Sequence, residues 1–186
     1  MSYKFNRGCW INSALSIEQK MALAHQIFAE QEQKIIRDHR INKLTSQLQD
    51  DLRLSWECMN SYGIGSRCAH CDSTAPQGSC CSQGLEGKYD VSLLVANLLL
   101  NVNLPRTHVR QESCFFLGYR GCTLRVRNML CVDYLCPELE KELGPGSVAE
   151  IQTITAGEAK TTFLLCDAIK KIINSSNGPV QLSRSC

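Results

Sequence analysis

Between Cys68 and Cys136 the chain gathers eight of its twelve cysteines: Cys68, Cys71, Cys80, Cys81, Cys114, Cys122, Cys131 and Cys136. Any fold this sequence adopts must give that sulfur a place. The spacing Cys68-Ala-His-Cys71 brings two thiols within reach of one metal, and it recurs in zinc and iron-sulfur sites. The adjacent Cys80 and Cys81 project in different directions, which suits two sites, or one site and a bystander, better than a single tetrahedral ion. Pro137 fixes the backbone after Cys136, a Cys-Pro pairing that also ends the bacterial ferredoxin pattern. The competing reading is a disulfide framework. Residues 1 to 20 carry no apolar run of the signal-peptide kind, and cysteine-rich cytosolic chains more often bind metal or do redox chemistry. Metal binding in a cytoplasmic protein is therefore the expectation.

The ordered elements Gly78-Ser-Cys80-Cys81, Cys114-Phe-Phe-Leu117, Gly121-Cys122-Thr-Leu124 and Arg127-x-x-x-Cys131 together resemble the YkgJ-like cysteine-cluster family, described as zinc- or iron-chelating domains. In that family a Cys-x-x-Cys-Gly-x-Cys-Cys opening leads to a Cys, then a Gly-Cys-x-hydrophobic element, then Arg-Pro-x-x-Cys. The chain departs from the pattern twice. Residues Asp72 to Gln77 separate Cys71 from the Gly-x-Cys-Cys element, and Asn128 stands where the proline falls. A protein lysine methylase related to the family carries a four-iron cluster, so the resemblance implies iron-sulfur chemistry ahead of zinc. It does not imply methylation. The cofactor expected on this basis is a 4Fe-4S cluster, one or two per chain, with zinc as the alternative.

With 20 Lys and Arg against 18 Asp and Glu, the formal charge of +2 supplies no global argument for nucleic-acid or membrane binding. Aromatics at 6% and hydrophobics at 44% predict a modest core supplemented by metal sites, with folding and metal loading coupled. The most apolar stretch, Val91 to Val102, falls short of the roughly 20 residues that a bilayer span requires. It reads as a buried central helix, capped by Asp90 and with Pro105 beyond its end.

The expected architecture is mainly α: a helical domain with irregular cysteine-rich metal-binding loops and a long N-terminal helical arm. Its divisions fall at residues 1–61 for the arm, 62–143 for the cysteine-cluster domain and 144–186 for a C-terminal helix packing on the arm. Residues 1 to 15 read as an irregular lead-in. Ser16-Ile-Glu-Gln19 has capping-box form, and Ile17, Met21, Ala24, Phe28 and Ile35 follow at near-heptad spacing. No Gly or Pro occurs from Leu15 to Ser61. The apolar phase shifts after Arg37-Asp-His-Arg40, which fits one bent helix or a two-helix hairpin. The narrow stripe suits a partner helix, from the same chain or from a second copy, so a protein partner or homodimer through this arm is expected, with packing over the cysteine domain alone as the alternative. His25 and His39 read as solvated. Tyr62-Gly-Ile-Gly65 ends the arm without forming a phosphate loop. Leu143-Gly-Pro-Gly146 marks a boundary, and Thr155-Ala-Gly-Glu158 opens a final amphipathic helix through Phe163, Cys166, Ile169, Ile172 and Ile173. Cys166 is then a core residue and Cys186 a loose terminal thiol.

Around the eight candidate ligands, His70, Arg125 and Arg127 are the expected supporting side chains. Arg106, Arg110, Arg120, Arg125 and Arg127 face a single acid, Glu112, between Leu104 and Cys131. Guanidiniums near a net-negative thiolate cluster stabilise it and raise its potential; a solvated basic face is the alternative. No Ser-His-Asp, Cys-His or paired-carboxylate arrangement stands out, and Asp133 and Tyr134 are the nearest titratable groups to nominate. The functional expectation is an iron-sulfur protein serving electron transfer or a partner's redox chemistry. The alternatives are a zinc-stabilised interaction module and, less favoured, a cluster-containing enzyme.

Overall fold

Ser16 opens the first helix as its spacing predicts: its hydroxyl accepts the Gln19 amide while the Gln19 side chain accepts the Ser16 amide. In the computed structural model, which describes residues 15–74, 81–119 and 121–175, this helix is α1 (Ile17–Arg37). It is followed by α2 (His39–Ser61), α3 (Ile64–Thr74), a 3₁₀ turn (Leu85–Lys88), α4 (Val91–Leu99), α5 (Met129–Asp133) and α6 (Pro137–Ser175). Strands β1 (Leu117–Gly118) and β2 (Gly121–Cys122) form an antiparallel pair between α4 and α5, with Leu117 opposite Cys122. The fold is mainly α. Residues 1–14 of the lead-in, Cys80, Arg120 and Cys186 lie outside the described residues.

Asp38 turns the phase shift of the arm into a break. Its backbone is extended (φ −71°, ψ 117°), its carboxylate accepts the Ile41 amide at 2.8 Å, and its own amide donates to the Ile35 carbonyl. One residue thus ends α1 and starts α2. The two helices then pack on different neighbours, α1 mainly on α4 and α2 mainly on α6. Of the covers open to the arm's apolar stripe, the structure shows one from the same chain. Ile35, Ile41 and Leu48 are fully buried, and His25 and His39 are exposed.

Helix α4 is the centre of the main core. Val91 to Leu98 are all buried, and the core around them joins Met21, Ala24 and Ile27 of α1 to Phe115, Phe116 and Leu124 of the connecting segment and Leu165 and Ile169 of α6. Asp90 caps the helix through the Leu93 amide at 2.9 Å. The helix stops at Leu99 and not at Val102, where Asn101 takes a left-handed conformation (φ 58°). A second, smaller cluster joins Cys58 and Met59 to Ile64, Leu135, Leu139 and Ile151.

The last helix begins earlier than expected. Helical structure runs from Pro137, is interrupted at Gly144 (φ 75°, ψ 162°) before Pro145, and resumes to Ser175. Leu143-Gly-Pro-Gly146 is therefore a kink within α6, and Thr155 is no cap. Its hydroxyl bonds back to the Ile151 carbonyl at 2.9 Å, which removes the competition that would make it a helix start. Cys166 is buried in the core as expected. No helix among the described residues is long and apolar enough to cross a membrane.

Candidate metal centre

Of the candidate cysteines, Cys122 and Cys131 lie beside Tyr89, Cys114 lies near both of them, and Cys81 joins the group through its backbone. Cys81 is tied to Cys114, whose amide donates to the Cys81 carbonyl at 2.7 Å beside an isolated bridge between Ser82 and Ser113. The ribbon places Cys122 on β2, and α5 carries Cys131. Tyr89, 1% exposed, lies with its hydroxyl 3.9 Å from the Cys131 sulfur and accepting the Asn128 amide at 3.1 Å.

This arrangement has identifiable supports. The Lys20 ammonium, buried in α1, donates to the carbonyls of Gly87 and Tyr89 at 2.8 and 3.0 Å, so α1 holds the segment that enters the site. Asn97, fully buried in α4, accepts the amides of Arg125 and Val126 at 3.0 Å each and donates to the Val126 and Leu93 carbonyls. All of its hydrogen-bonding capacity is used, and it pins the strand of chain running from Cys122 to Cys131. Asn128 caps α5 through the Leu130 amide and donates to the Lys88 carbonyl at 2.9 Å. A proline at this position would lose both the side-chain contacts and the amide bond to Tyr89.

Burial sets the electrostatics of the group. It pushes the Cys114 thiol up to about 12, against the Phe116 amide and with Glu86, Cys122 and Cys131 adding to the rise. The Cys122 thiol is also raised by burial, with the Leu124 amide, Arg127 and Tyr89 acting against it. Burial, with Cys122 and Cys131 next, likewise raises the Tyr89 phenol. A coordinating metal inverts this, because a ligated thiol is held deprotonated.

The other candidates lie elsewhere. Cys68 and Cys71 were expected in irregular loops but sit on α3, three residues apart and so on one helix face. Cys68 packs against the smaller cluster together with Cys136, the residue preceding α6. Arg67 of α3 pairs with Glu142, and the Tyr62 hydroxyl donates to Glu150 at 2.7 Å, so α3 and the end of α2 are held to α6 beside these thiols. Buried Cys58 belongs to the same cluster. The expectation of irregular cysteine loops is thus corrected for Cys68, Cys71 and Cys131, which are helical because their local sequence lacks a breaker.

Among the supporting side chains, Arg125 is exposed, and its backbone amide carries its contact to Asn97. His70 is exposed on α3. Arg127 is enclosed: its guanidinium lies 4.8 Å from the centre of the Trp56 ring, 3.6 Å from the Met59 sulfur and 3.5 Å from the Glu158 carboxylate. Tyr89 and Cys58 carry no signal in the sequence and Glu158 and Asn97 read only as helix positions, because their partners lie too far along the chain for spacing to reveal.

The donor set is soft, thiols without an intervening amine, which suits zinc or iron-sulfur chemistry in kind. No disulfide joins any two of the nine described cysteines. Among the described residues no three His, Cys, Asp or Glu side chains are drawn into a cage for one ion, and Cys80, beside Cys81, lies outside them. Comparison with protein-family profiles, curated proteins and solved structures gave no match.

Proposed function

We propose that this is a cytoplasmic metal-binding protein whose cysteine group holds an iron-sulfur cluster and serves electron transfer or the redox chemistry of a protein partner. The observation that carries the reading is that Cys114, Cys122 and Cys131, from three separated segments, lie near one another beside one buried tyrosine, with Cys81 tied to Cys114 through its backbone. These four residues would hold the metal, with Cys80 adjoining. Cys68, Cys71 and Cys136 are candidates for a second site at the smaller cluster. A bound cluster supplies one-electron chemistry at a potential tuned by charge and burial. The protein's own contribution is to exclude water through Phe115, Phe116 and Leu124 and to place Arg127 near enough to Cys122 to favour its thiolate. The resemblance to the YkgJ-like family is consistent with this reading.

Zinc is the second reading, and one observation favours it: Cys114 is only 5% exposed, inside the main core, as in closed structural sites. Air-free purification followed by iron, zinc and sulfide counts separates the two. An iron-sulfur form is brown and bleaches on reduction, whereas a zinc form is colourless. Folded, metal-free protein with its thiols paired to one another would overturn both.

A further inference from the structure

On the far side of the segment that leads into Cys131, a half-open cavity of about 160 Å³ lies between α4, α5 and α6. Its floor is apolar, formed by Leu93, Ala159 and Cys166, and its mouth is flanked by Met129 and Phe163, which are 52% and 66% exposed. Side chains of both signs surround it. Asp90 is committed to Lys170 at 2.7 Å, and Glu158 to Arg127 at 3.5 Å. Lys88 is left as a cation with no acidic partner among the described residues. We propose that this cavity binds a small monoanion with a compact apolar body, a single ring or branched chain bearing one carboxylate.

Size decides the body. An apolar cavity of about 150 Å³ is known to accept benzene, and drug-sized ligands need pockets of about 300 Å³ or more. One ring fits and a nucleotide does not. Charge decides the head group. The two ion pairs neutralise each other internally, so the net charge offered to an occupant is that of Lys88. Arg127 Nε and both Glu158 carboxylate oxygens lack hydrogen-bond partners, so that pair offers the cavity a donor and acceptors but no net charge. Glu158 opposes an anion less than its formal charge implies, since burial raises it despite Arg127. The exposed Phe163 ring at the mouth supplies a face for an aromatic body.

The cavity shares its wall with the cysteine group. Asn128 donates from its side chain to the Lys88 carbonyl and from its backbone to the Tyr89 hydroxyl, so an occupant at Lys88 sits one peptide from the residue at the centre of the thiols. The site does not depend on that group being metallated.

The test is an amide-resolved NMR titration of the full chain, as purified, with benzoate. Benzyl alcohol and benzylamine serve as neutral and cationic probes of the same shape. Benzoate is expected to shift the amides of Lys88, Met129 and Phe163 saturably, with benzyl alcohol weaker and benzylamine weakest. Lys88→Ala, a change at an exposed side chain, should weaken benzoate by about tenfold and leave benzyl alcohol unchanged. Ala159→Leu, which fills the floor, should abolish binding of all three. Absence of saturable shifts, shifts confined to other segments, equal or tighter binding of benzylamine, or unchanged benzoate affinity in Lys88→Ala would each overturn the proposal. Metal counts on the same samples keep this result separate from the fate of the metal reading.

Discussion

Asn97 shows how much one side chain can carry. Replacing it with Leu leaves the amides of Arg125 and Val126 and the Val126 carbonyl without partners in a dry interior, and each such group costs about 1–3 kcal/mol. Asn97→Leu is therefore expected to lose about 4 kcal/mol in urea unfolding. Asn97→Asp should fare little better, because it keeps the acceptors but loses the donors and buries a charge. Arg127 and Glu158 make a pair with a pH signature. Burial raises the Glu158 carboxyl above its ordinary value, with Arg127 acting against it. The stability held by the protonated form is then fully present below about pH 4.3, the unfolded value, and is lost as pH rises through the raised folded value. The difference in unfolding free energy between wild type and Glu158→Gln, measured from pH 4 to pH 8, should fall in that direction. Arg127→Met is expected to cost about 3 kcal/mol at pH 7 by stranding the carboxylate, with smaller losses at low pH and recovery on adding Glu158→Gln. None of these partnerships was visible in sequence. An Asn in an apolar helix and a Glu between Gly157 and Ala159 carry no mark of a contact made in space with a distant segment.

At the scale of the element, legibility followed distance along the chain. The Ser16 box and the Asp90 cap were readable because donor and acceptor lie three residues apart, and the phase shift after Arg37 marked the break at Asp38. Thr155 failed by the same rule, since the pattern for a cap is also met by a hydroxyl that bonds back inside a continuing helix. The Cys68-x-x-Cys71 pair was expected in an irregular loop because of its chemistry, yet its local sequence from Ser66 to Thr74 contains no Gly or Pro to end a helix. The caps and kinks give direct tests. Asp90→Ala removes the acceptor for Leu93 and the Lys170 pair and is expected to cost about 1–2 kcal/mol, mostly as a lost cap. Asp90→Asn, which keeps the cap, should cost less. Gly144→Ala meets open space but must adopt φ 75°, ψ 162°, a region essentially reserved for glycine, so a loss of about 1–3 kcal/mol is expected, seen as a lower thermal midpoint.

For the whole molecule, the distribution of apolar burial argues against folding and metal loading as a single event. The main core runs from Ile17 of α1 through α4 to Ile169 of α6 and is built largely of aliphatic side chains, with Cys114 and Cys166 as its buried cysteines. The smaller cluster is different: it rests on Cys58, Ile64, Leu135, Leu139 and Ile151, and Cys68 and Cys136 pack at its edge. A low aromatic content suggested a core in need of metal, but composition does not show that α4 is enclosed by α1, the connecting segment and α6. Stability should therefore be uneven, highest where α1, α2, α4 and α6 meet and lowest at α3 and α5. Chelation under reducing conditions is expected to leave most far-UV helical signal in place while hydrogen exchange accelerates in Ile64–Thr74 and Met129–Asp133. If metal removal instead collapses protection across α4, the thiols contribute to the main core directly, and the division drawn from its aliphatic packing is wrong.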